Sequence, residues 1–123
     1  MVESSSGSRS ASPAVLAALR ELQVEYGKVL PGVVEKLAGE VREAKGGGGA
    51  GLQGLRGQAH KLRGTSGSYG FLGVSEAAGR FEQAVLRALA APGEDEWAAI
   101  EAAVEEIGVK AAEAAASVSQ GGS

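Results

Sequence analysis

Leu52, Leu55, Ala59, Leu62, Ser66 and Tyr69 alternate three and four residues apart. Only an α-helix with one buried face produces that spacing. The pattern returns at Val74, Ala78, Phe81, Val85 and Ala88, and again at Trp97, Ile100, Val104, Ile107, Ala111, Ala114 and Val118. An earlier run carries Leu16, Leu19, Leu22, Tyr26, Leu30, Val33, Leu37 and Val41. No segment shows the period of two that a half-buried strand requires. Several amphipathic helices with short connections bury their stripes by packing together. The expected fold is all-α: an antiparallel four-helix bundle with an additional or kinked N-terminal helix.

The first helix has two readings because of Gly27 and Pro31. A proline inside a helix removes one backbone hydrogen bond, so the run reads as two helices or one kinked helix. Ser12-Pro13 marks its start, a capping residue before a proline at the first helical position. Gly46 to Gly51, interrupted only by Ala50, reads as a loop between antiparallel helices. Gly70 and Gly73 mark the end of the next helix, and Ala91-Pro92-Gly93 closes the one after it. The acids Glu94, Asp95 and Glu96 suit the N-terminal dipole of the last. Residues 1–12 and 119–123, rich in Ser and Gly, read as disordered tails around one domain spanning 13–118. The Gln-Gly-Gly-Ser end also reads as a linker toward a further domain.

Composition narrows the chemistry. With no cysteine and a single histidine, disulfides, thiolate chemistry and the usual protein zinc site are excluded, and no metal site is expected. Aromatic residues are only 4% of the 123, so aliphatic side chains and alanine must build the core. No apolar run approaches the roughly 18 residues of a membrane span, and the N-terminus lacks a secretory core segment. A cytoplasmic domain without membrane contact is the expectation. The net charge of −3 argues against nucleic-acid binding. Its distribution is uneven. Arg56, Lys61, Arg63, Arg80 and Arg87 outnumber Glu76 and Glu82 in the middle of the chain, while residues 94–113 carry seven acids against Lys110. The basic stretch contains the lone histidine, His60, and favours an anionic ligand or an acidic partner surface.

At about 100° per residue, His60 stands roughly 130° from the centre of the Leu55–Tyr69 stripe, on the outer flank of its helix. Gly57, Gly64 and Gly67 lie three before, four after and seven after it, so they are its surface neighbours. Each glycine costs a helix about 0.5–1 kcal/mol relative to alanine. That cost is intelligible if a large partner must reach the imidazole. No second group positioned for acid–base catalysis stands out. Nucleophilic attack on phosphorus asks less: a neutral imidazole nitrogen, a carboxylate on the other ring nitrogen, and a cation one turn away. Arg63 fits the last role. Arg56 and Lys61 read as partner-surface charges. Helix fraying around exposed glycines is the plainer alternative.

The stretch His60-x-Leu62-Arg63-Gly64-x-Ser66-x-x-x-Gly70 resembles the signature of histidine phosphotransfer (HPt) domains. The likeness continues through Phe71-Leu72-Gly73-Val74 and Ala77 to Glu82. The resemblance implies that His60 is phosphorylated, that Arg63 stabilises the phosphoryl group, and that Gly64 leaves room for phosphate and partner. It also implies that Glu82, on the facing helix, orients the imidazole. The implied function is a phosphorelay carrier moving a phosphoryl group between a histidine kinase or receiver domain and a response-regulator aspartate. Such a chain needs no cofactor and is a carrier rather than an enzyme; it has no nucleotide-binding loop. A monomer is expected, because all the stripes fit inside one bundle. Two alternatives stand beside it: an excised phosphoacceptor domain of a chemotaxis-type kinase, or a helical adaptor without phosphotransfer.

Overall fold

The computed structural model describes residues 12–121. It contains four helices: α1 (Pro13–Gly46), α2 (Leu52–Ser68), α3 (Leu72–Ala90) and α4 (Glu94–Gly121). No strand occurs among the described residues. The core joins Leu30, Leu37 and Val41 of α1 to Leu55 and Ala59 of α2, Phe81 and Val85 of α3, and Ile100 and Ile107 of α4. Ala59, Ala77, Ala78 and Ala88 are fully buried, and their small side chains bring α2, α3 and α4 close together. α3 packs against both α2 and α4, and α4 against α1. The α1–α2 contact is much thinner, which leaves a groove on that side.

The first helix is single. It starts where Ser12 Oγ accepts a hydrogen bond from the Val15 amide at 3.2 Å, with Pro13 at its first position. It continues unbroken through Pro31, which lies exposed, so among the described residues the run is one helix rather than two. At 34 residues, α1 is twice as long as the 17-residue α2. At about 1.5 Å per residue, its first turns therefore extend beyond the end of α2. Val15, Leu16, Leu19 and Leu22 are about half exposed as a result. Their apolar pattern is real, but α2 ends before reaching them. The reason for expecting a monomer, that every stripe is buried inside one bundle, does not hold for this segment.

At the other end, Gly48, Gly49 and Gly51 take positive φ in the turn to α2. α2 closes with Gly70 at φ +83, where the Phe71 amide donates to the Ser66 carbonyl and the Gly70 amide to the Gly67 carbonyl. α4 continues to Gly121, three residues past the expected limit of 118. The rest of the two expected tails, residues 1–11 and 122–123, lies outside the described residues.

An aromatic cluster ties α1 to the α2–α3 turn. Tyr26 stacks on Tyr69 at 4.6 Å between centroids and meets Phe71 edge-on. Its hydroxyl shares a 2.9 Å hydrogen bond with that of Ser66, which is fully buried. Burial pushes the Tyr26 phenol above its ordinary value, and the Ser66 hydrogen bond works against that rise. Gln23 Nε2 donates to the Tyr69 carbonyl at 2.8 Å.

Candidate functional site

α2 and α3 run antiparallel, so residues spaced four and three apart on one meet residues spaced the same way on the other. His60, Arg63 and Gly67 thus face Glu82, Gly79 and Ser75. His60 presents a side chain that is 74% exposed, yet its Nδ1 stands 3.3 Å from Oε2 of Glu82. The Glu82 side chain is only 9% exposed. Its other oxygen, Oε1, accepts from Arg63 Nη1, also at 3.3 Å. One nearly buried carboxylate therefore stands between two solvent-facing side chains, accepting a hydrogen bond from Arg63 and lying close to Nδ1 of His60. Burying a carboxylate without partners is costly, and this arrangement supplies partners to both oxygens. With Nδ1 turned to Glu82, Nε2 is the ring nitrogen on the side away from that carboxylate.

The stem of Arg63 crosses α3 at Gly79, where an added Cβ would meet Arg63 Cδ at 3.6 Å. One turn further, Ser75 Oγ donates to the Arg63 main-chain carbonyl at 2.8 Å. Around the imidazole, Gly57 and Gly64 are open: no atom lies within 4 Å of where their Cβ would stand. Gly67 does not share that role. A Cβ there would come within 3.3 Å of Ser75 Oγ, so Gly67 gives room to α3 rather than to an incoming group. The helical wheel places Gly67 on the flank of His60 but does not show that α3 passes over it.

Arg56 and Lys61 are both exposed. Lys61 points away from the imidazole, into the groove between α1 and α2, which it lines with Tyr26, Val33, Lys36, Gln58, Leu62 and Thr65. Val29 and Val33 leave apolar surface at and beside this groove, 54% and 40% exposed. Ser75 and Gly79 were not singled out from the sequence. Their signal was the matching four-and-three spacing to Glu82 on α3, which acquires meaning only once the register with α2 is known.

Residues 18–110 match the family model of the Hpt domain. The chain belongs to the Hpt domain family. Neither the curated proteins nor the solved structures compared with it gave a match. The matched span runs from within α1 to within α4 and includes His60, Arg63, Ser75 and Glu82. Membership connects this Hpt domain with histidine phosphotransfer and two-component signalling, the work of phosphocarrier modules. No described helix is long and apolar enough to cross a membrane.

Proposed function

We propose that His60 carries a phosphoryl group on Nε2, received from a histidine kinase or a phosphorylated receiver domain and passed to a response-regulator aspartate. The observation that carries this reading is the 3.3 Å approach of Glu82 Oε2 to Nδ1 of an exposed imidazole. A carboxylate there favours the tautomer with the proton on Nδ1 and the lone pair on Nε2. That lone pair attacks phosphorus, and the bond from phosphorus to the donor's oxygen or nitrogen breaks, its electron pair leaving with the donor. The imidazole becomes cationic while its Nδ1 proton stays beside the Glu82 carboxylate, which offsets the new charge. In the onward step a receiver carboxylate attacks phosphorus and the N–P bond breaks, returning the pair to Nε2.

Arg63 has five N–H donors and gives one to Glu82. The others are available to phosphoryl oxygens as negative charge accumulates beside the ring. Gly57 and Gly64 leave the approach to Nε2 unobstructed. Arg56, Lys61 and the apolar groove between α1 and α2 form the partner surface, a small apolar patch with a charged rim suited to transient docking. The chain acts as carrier and substrate, with the cytoplasm as its compartment.

The test is incubation with phosphorylated receiver domains, followed by detection of acid-labile phosphate on the wild type and on His60→Gln. Uptake by the wild type alone is the expected result. If the wild type takes up no acid-labile phosphate from several receivers, the reading fails.

A further inference from the structure

We infer that Ser75 is a positioning residue for the phosphoryl site, acting through the register of α3 on α2; the inference rests on reading His60 as the carrier. Three cross-helix pairs lie in one antiparallel row: Ser75 with Gly67, Gly79 with Arg63, and Glu82 with His60. Ser75 also fastens α3 to the backbone of α2, one turn before Gly67. Ser75 Oγ donates to the Arg63 carbonyl at 2.8 Å, much shorter than the two 3.3 Å contacts that Glu82 makes. A helix carbonyl has a second lone pair for such a bond. The acceptor belongs to Arg63 itself, so the clip holds the backbone of the residue whose guanidinium reaches Glu82.

Gly67 is the condition for this clip. Ser75 Oγ sits where a Cβ at position 67 would crowd it, at 3.3 Å. Any larger residue there moves the hydroxyl by a few tenths of an ångström or displaces α3. Ser75 and Glu82 are two turns apart on the same face of α3, so about 10 Å of rigid helix carries the anchor to the carboxylate. His60 Nδ1 stands 3.3 Å from Glu82 Oε2, a close contact rather than a short hydrogen bond. A small slip or rotation of α3 ends it. Among the described residues the exposed His60 ring has no other ion pair or hydrogen bond to restore the geometry.

The experiment measures two quantities on the full chain: the fraction of neutral His60 with its proton on Nδ1, from imidazole ¹⁵N chemical shifts, and the rate of phosphorylation by phosphoramidate. In that reaction Nε2 forms the new N–P bond, the N–P bond of phosphoramidate breaks, and ammonia leaves with its electron pair. The variants are Ser75→Ala, Ser75→Thr, Gly67→Ala and the double variant Gly67→Ala/Ser75→Ala.

Ser75→Ala should lower the Nδ1–H fraction and slow phosphorylation about tenfold, the scale of lost support for a reacting group. Ser75→Thr keeps the hydroxyl and should restore both. Gly67→Ala should resemble Ser75→Ala, and the double variant should be no worse than Ser75→Ala alone, because the two changes act through one contact. A wild-type tautomer and rate in Ser75→Ala overturns the proposal, as does a double variant whose losses add. If Ser75→Ala is too unstable to assign, Ser75→Thr and Gly67→Ala decide by the same two measurements. Failure of the wild type to accept phosphoryl groups would count against the carrier reading. The tautomer comparison would still judge the role of Ser75.

Discussion

Glu82 meets His60 across the α2–α3 interface, Oε2 standing 3.3 Å from Nδ1, while its second oxygen accepts from Arg63. The carboxylate is nearly buried and both partners face solvent. Substitution at Glu82 should therefore act on the imidazole more than on the fold. Glu82→Ala is expected to slow phosphoryl uptake about tenfold or more while the melting temperature changes little. Glu82→Gln offers one acceptor oxygen for two donors and should fall between. Uptake by Glu82→Ala at the wild-type rate would remove Glu82 from the mechanism.

Gly64 separates stability from access. Nothing lies within 4 Å of its absent Cβ, and it sits inside α2. Gly64→Ala is expected to raise the unfolding free energy by about 0.5–1 kcal/mol, the helix cost of glycine. Gly64→Leu should slow exchange with a receiver domain strongly without unfolding the bundle. Urea unfolding and transfer kinetics on the two variants check this, and undiminished transfer by the leucine variant would contradict it.

Val33 tests the proposed partner surface. It lines the groove beside Lys61 and remains 40% exposed, so Val33→Glu should alter stability by no more than about 0.5 kcal/mol. Transfer from a receiver domain should slow, whereas phosphorylation by phosphoramidate, which needs no docking, should not. Equal slowing of both would place the effect in the site instead.

The Tyr26–Ser66 pair is a polar link of α1 to α2. Tyr26→Phe leaves the fully buried Ser66 hydroxyl without that partner and should cost about 1–2 kcal/mol. Removing both hydroxyls should cost less than the sum of the single changes. Additive losses in denaturant unfolding would show that the hydroxyls act independently.

Arg80 and Glu106 join α3 to α4 through two hydrogen bonds. The Glu106 carboxyl is held below its ordinary range, first by the Arg80 hydrogen bonding, while slight burial opposes the shift. A lowered folded-state value stabilises the fold above the unfolded carboxyl's pKa, and the effect is lost as pH falls through the folded one. Wild type should therefore melt above Arg80→Ala at pH 7, with the gap closing below about pH 4. A gap that persists in acid would assign it to something other than this ion pair.

Much of the bundle was readable before folding. The 3–4 spacing of Leu52 to Tyr69 and of Val74 to Ala88 is a local property, and each stripe is buried where it predicts, Tyr69 only in part. The Ser12-Pro13 start and the glycine turns are equally local, because capping and positive φ depend on a few adjacent residues. The exposure of His60 and the openness at Gly57 and Gly64 follow from the same helical geometry. The half-exposure of Leu16, Leu19 and Leu22 does not, since it depends on how far a neighbouring helix extends. Pro31 likewise marks a lost hydrogen bond without saying whether packing keeps the helix continuous.

By itself, then, the sequence determined the helices, their apolar faces and the outward-facing histidine among glycines, since all of these repeat with the turn of a single helix. Tertiary structure decided which residues meet across helices. The axial register of α3 on α2 brings Glu82 to His60, lays Arg63 across Gly79 and turns Gly67 into a seat for Ser75. That register is set by packing between residues distant in the chain, so no pattern within one helix contains it.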